Sequence, residues 1–259
     1  MAPSPWSFQP SWDEIAFVVA LTAAYAVAVA RFGASRGRIA AFAGGVLLVL
    51  AAVASPVATV ALHYLVSAHL LQNVMLAEWA PALLVLGVSP PLARRIAQVP
   101  GVAVATYPLV ALPLWIAAYA AWHIPAAYDA ALDHAPLLRI QHLTYLTAGC
   151  LLWWSVFHDE PHRVSNGGRA LYIFAAFLFA SPLGLLLALL PSAIYDFYEE
   201  APRLWGLDPA TDQQIAGVVM AGSEAIVFFA VFAVFVARWL ADEEAGEAGS
   251  EPGSIPRTR

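Results

Sequence analysis

The stretch His63–Trp79, HYLVSAHLLQNVMLAEW, decides how this chain is read. Its leucines, valines and alanines suit a helix crossing a bilayer, yet it holds two histidines, a glutamine, an asparagine and a glutamate. Polar side chains at membrane depth are costly, so they face a bundle interior and pair or serve a function there. Helical spacing sorts them. His69, Gln72 and Asn73 fall at i, i+3 and i+4 and share one face, whereas His63, six residues before His69, is turned about 120° away. Glu78 belongs deeper in the same helix.

The rest of the chain repeats the apolar pattern. Of 259 residues 61% are hydrophobic and 12% charged, and apolar runs of roughly twenty residues recur, which marks a multi-pass membrane protein. The predicted fold class is all-α, a bundle of seven transmembrane helices over 14–31, 39–60, 62–88, 102–123, 137–157, 169–190 and 212–239. Pro56, Pro90-Pro91, Pro125, the NGG turn and Pro191 punctuate these spans. Residues 1–240 read as the transmembrane domain. The remainder, 241–259, is acidic and poor in apolar residues, and is expected to be a disordered cytoplasmic tail. Met1–Phe17 carries Asp13 and Glu14 and no basic residue, unlike a secretory signal. The chain has no lysine, which excludes a retinal Schiff base, and its one cysteine, Cys150, excludes an internal disulfide or a cysteine-pair metal motif.

Arginine placement predicts orientation. Arg31, Arg36, Arg38, Arg94, Arg95, Arg163, Arg169, Arg238, Arg257 and Arg259 all fall on one side of the predicted bundle, leaving Arg139 and Arg203 on the other. The positive-inside rule then puts the N-terminus outside and the C-terminus in the cytoplasm. At 1.5 Å per residue, His69 lies roughly 9 Å below His63, and His142 roughly 8 Å inside the outer end of its span. His123 ends the fourth span at the outer side and Asp212 opens the seventh there, with Met220 roughly 12 Å below it. Four helices therefore bring potential metal ligands to the outer third: His63, His69, His123, His142, Asp212 and Met220. His142 and Tyr145 share a face. Imidazole suits zinc, copper, iron and nickel, and a thioether favours Cu(I). Asp212 fits a ligand at the mouth, or a partner that orients a histidine. Paired histidines on facing helices also leave haem open. Glu78 and Glu224 lie near mid-membrane as packing acids or proton carriers, while His158 and His162, in FHDEPHR, read as solvated loop residues.

Five segments carry a resemblance: SAHLLQNVMLAEWAPALLVLG, WHIPAAYDAALDH, LRIQHLTYLTAGCLLWWSVF, SPLGLLLALLPSAIYDFY and TDQQIAGVVM. Together, in this order, they resemble the multi-span CtaG family, the assembly factors of caa-type cytochrome c oxidases. The resemblance implies a cell-membrane protein of a bacterium or archaeon that helps build the oxidase, with copper as a transient cofactor. It implies partners among the cytochrome c oxidase subunits and the lipid bilayer, and no nucleic acid. The family's histidine motifs carry over to His69, His123 and His142 and its acidic opening to Asp212, with Met220 beside it. The family pattern in the third span is H-x-x-x-H, and here it reads His69-x-x-x-Asn73, so one expected ligand is replaced by a poor one. No nucleophile, base and oxyanion arrangement is visible, so no enzyme activity is expected. A copper transporter or channel would need ligands continuing through the inner half, where Glu78, Glu224, Cys150 and Met75 form no ladder. A haem-binding membrane protein is the other alternative.

Overall fold

The computed structural model describes residues 2–250, all helix and connecting turns among those described. The helices are α1 (Trp12–Phe32), α2 (Arg36–Ala54), α3 (Pro56–His63), α4 (Val66–Val74), α5 (Ala80–Gly87), α6 (Pro90–Ile96), α7 (Val102–Ala105), α8 (Pro108–Trp122), α9 (Pro125–Asp133), α10 (Ala135–Phe157), α11 (Asn166–Leu189), α12 (Asp196–Glu200) and α13 (Pro209–Ser250). A π-helical turn, Met75–Trp79, joins α4 to α5 without a break in direction of chain. The last helix continues into the segment expected as tail, of which residues 251–259 lie outside those described.

Five helices are long and apolar enough to cross a membrane: α1, α2, the α4–α5 unit, α11 and α13. A sixth crossing is available if α8 and α9, bent by 73°, count as one broken span. The difference from seven unbroken spans has local causes. The predicted 39–60 span stops at Ser55, because Pro56 lacks an N–H and starts a new helix. Ser55 Oγ accepts from the Val57 amide and caps it. The predicted 102–123 span is interrupted before Pro108, and α10 carries Arg139, Gln141 and His142 within its first two turns. His158 is not solvated as predicted: it is buried, with Nε2 3.0 Å from the Val85 carbonyl, and burial holds its imidazole below the usual histidine range. His162 likewise donates to the Ala103 carbonyl.

The π turn is the hinge of the core. Pro81 has no N–H for the Ala77 carbonyl, and its ring crowds that carbonyl in a regular helix; one extra residue in the turn relieves both. The freed oxygen accepts instead from Trp115 Nε1 at 3.1 Å. Gly149 of α10 lies against the same place, and a Cβ there would overlap the Ala77 oxygen and the Pro81 ring. Close approach without side chains is how membrane helices gain packing when lipid is as apolar as they are. The longest contact in the bundle, α11 on α13, uses the same device at Gly184 and Gly217.

Candidate metal-binding site

Three of the predicted residues, His69, His123 and His142, are buried at one end of the bundle, on α4, at the end of α8 and on α10. Each ring is held in the same way. Nδ1 of His69 meets the Tyr198 hydroxyl at 2.8 Å, and that hydroxyl donates onward to the Ala61 carbonyl, so the imidazole must supply the N–H. Nδ1 of His123 donates to the Tyr119 carbonyl at 2.7 Å. Nδ1 of His142 donates to Glu14 Oε1 at 2.6 Å. With Nδ1 engaged, Nε2 is the ring nitrogen left to meet a ligand, and all three Nε2 atoms are buried without a hydrogen-bond partner. That is the arrangement of a metal-ligating histidine, whose second nitrogen is oriented by a carbonyl or carboxylate.

The sequence explains each anchor. In Trp122-His123-Ile124-Pro125 the proline pushes Ile124 into an extended conformation and ends α8. The His123 amide shifts to the Ala120 carbonyl, so the Tyr119 carbonyl is left for the His123 ring. The start of α4 has no capping side chain of its own, since Leu65 stands there. Asp212 supplies one from across the bundle, accepting from the Val66 amide at 2.7 Å and the Ser67 amide at 3.2 Å. A carboxylate at a helix N-terminus satisfies two orphan donors and the positive end of the dipole. Gln213 clamps the preceding loop at Ile194 and Ser192, and Gln214 bonds to the Leu190 carbonyl. The Asp-Gln-Gln run thus fixes the loop leading to Tyr195 and Tyr198. At its foot the hydroxyl and amide of Thr211 hold the Asp208 carboxyl below the usual carboxylate range.

The other predicted ligands have surroundings of their own. His63 lines a separate pocket of about 570 Å³ with Asp129, Asp133, Asp196 and Glu200. Asp212 is buried and engaged as a cap, and Met220 is fully buried two turns further along α13. Gln72, predicted on the face of His69, donates to the Ala52 carbonyl of α2. Asn73 is buried with neither end of its amide bonded, as is Gln141. Tyr128 stands between His69 and His123, with ring centroids 4.8 and 6.1 Å away, and stacks on Tyr195 at 4.0 Å. Among the described residues no three His, Cys, Asp or Glu side chains converge closely enough to hold a metal ion. The donors are prepared and buried, but the rings stand apart around an aromatic core.

Three contributors escaped sequence reasoning: Glu14, Tyr198 and the Tyr119 carbonyl. Glu14 carried a signal, because an acid at the start of an apolar helix needs a partner. Below the histidines, Tyr119 also bridges Glu78 and Glu224, with its hydroxyl 2.5 Å from Glu224 Oε1 and 3.4 Å from Glu78 Oε1. The family profile described as cytochrome c oxidase caa3 assembly factor (Caa3_CtaG) matches residues 16–242. No curated protein and no solved structure matches the chain.

Proposed function

The chain belongs to the cytochrome c oxidase caa3 assembly factors, and from that premise we propose that it carries copper to the oxidase at His69, His123 and His142, without catalysing a reaction. The observation that carries this reading is the shared setting of the three rings: Nδ1 bonded to an acceptor, Nε2 buried and without a hydrogen-bond partner. A buried nitrogen lone pair without a partner is costly in a protein that binds nothing there. Copper is cargo, so its ligands must grip and release. Rings already fixed in the ligating tautomer but held apart suit that demand, because copper must draw them together and loses them again when they relax.

The remaining residues position these three. Asp212 sets α4, and so His69, rather than meeting the ion. Glu14 orients the His142 ring through its hydrogen bond to Nδ1. We place the chain across the plasma membrane seven times, with α8–α9 and α10 as the fourth and fifth crossings and the histidine end outside. The arginine distribution supports this orientation. His63 and its acidic neighbours then stand at the outer face, where carboxylates concentrate cations near the site.

The test is elemental analysis of detergent-purified protein after copper loading, comparing wild type with His69→Ala, His123→Ala and His142→Ala. Copper should fall in each variant. Equal copper in all four would remove the proposed site, and a haem absorption band in the purified protein would replace copper as the ligand.

A further inference from the structure

The arginine end of the bundle holds a second cavity with no part in the histidine site. Helix α13 packs against α4 in the histidine half but makes little contact with α5 in the other half, while staying against α11. The divergence opens a wedge of about 720 Å³ between α2, α5, the end of α10 and α13. Its walls are apolar, with Leu48, Trp79, Leu83, Phe157, Val231 and Phe235 among them, and its mouth is formed by Arg38, Arg169 and Arg238.

The three arginines differ from the others at this end. Arg31, Arg36, Arg94 and Arg95 are exposed and line no part of the wedge, whereas Arg38 and Arg169 are half-buried and Arg238, exposed, lies at its rim. Arg38, Arg169 and Arg238 border a cavity. Arg238 lies over the Phe235 ring, 5.3 Å from its centroid, and pairs with no carboxylate among the described residues. Arg169 lies over the same ring at 5.7 Å; its Nη2 is tied to Asp159, but its Nε is buried with no partner. Arg38 donates only to the Leu86 and Val88 carbonyls. Three guanidinium groups thus face one carboxylate at the mouth of an apolar wedge. Guanidinium presents paired donors that match a phosphate oxygen pair.

We propose that this wedge binds one anionic phospholipid, its phosphodiester on Arg38, Arg169 and Arg238 and an acyl chain along α13. From Arg238 to Val227 the wall runs eleven residues, about 16 Å, which is half of a hydrocarbon core of about 30 Å and so one leaflet deep. This site is independent of the copper reading.

Native mass spectrometry of the detergent-purified full chain tests it, titrating phosphatidylglycerol against phosphatidylcholine with identical acyl chains, and adding inorganic phosphate as competitor. Phosphatidylglycerol should bind about tenfold or more tighter, from the charge of the arginine mouth. In the double variant Arg38→Gln/Arg238→Gln that preference should vanish while weak binding of both lipids remains. Ala230→Trp, which fills the wedge and leaves the arginines, should abolish both. Equal affinity for the two lipids in wild type overturns the proposal, as does an unchanged preference in the double variant. Displacement of the lipid by inorganic phosphate at low millimolar concentration also overturns it, because the site would then read the anion alone. Thermal unfolding measured in parallel reports that the variants are folded.

Discussion

Substitutions at Glu14 separate the charge behind His142 from the hydrogen bond it makes. Glu14 Oε1 lies 2.6 Å from His142 Nδ1, and the two side chains are 19% and 7% exposed. Glutamine keeps an oxygen that accepts from the same N–H but drops the charge. A hydrogen bond to a charged group contributes about 1.5–3 kcal/mol and a neutral one about 0.5–1.5 kcal/mol, so the loss is about 1 kcal/mol. Water at Glu14 screens part of that, and at about 1.4 kcal/mol per tenfold the expected fall in copper affinity is about 3–5-fold. Alanine removes the acceptor altogether and releases the proton to either ring nitrogen. Losing such an orienting partner costs about 10–100-fold in metal affinity. The control sits one residue away: Asp13→Ala breaks the pair with Arg139, 2.6 Å long but 51% and 47% exposed, and exposed pairs contribute little. Affinity is read by competition with a chromophoric copper chelator, with thermal unfolding recorded for each variant. The expected order is wild type and Asp13→Ala together, then Glu14→Gln, then Glu14→Ala. An alanine variant that holds copper like wild type refutes the anchoring role of Glu14.

Asn73→His should tighten copper binding by about tenfold or more, measured in the same competition, because it sets a second imidazole one turn from His69 where an unbonded amide now sits. No change would mean that this face of α4 lies outside the site. Gly149→Ala should lower the unfolding midpoint, since its Cβ meets the Ala77 carbonyl and Pro81. Overpacking of this kind costs about 1–3 kcal/mol, or roughly 2–10 °C for a chain of this size. Copper stoichiometry at low temperature should stay as in wild type, and a midpoint equal to wild type would show that the π turn yields.

Helix content, family and the three central histidines were legible in the chain because each depends on local pattern. Apolar runs mark membrane helices, spacing at i and i+4 marks a face, and Trp122-His123-Ile124-Pro125 writes its own turn. The proline at position 56 was equally visible, but whether it kinks a span or splits it depends on what receives the freed carbonyls, and that is a matter of neighbours. Asp212 shows the limit most plainly. From the sequence it was an acid at a membrane surface, equally suited to hold a metal or to orient a ligand. Only the tertiary structure could assign it, because the amides it caps belong to Val66 and Ser67, far away in sequence. The same holds for Glu14 and Tyr198, more than a hundred residues from the rings they orient. His158 differs from its expected solvation for a related reason: a histidine in a charged loop looks solvated until a helix end from elsewhere in the chain offers it a carbonyl. The sequence by itself therefore determined the helices, the family and which polar side chains lie within apolar segments. Tertiary packing decided which nitrogen of each ring is free, because a proton's position follows the acceptor nearby, and that acceptor arrives on another helix.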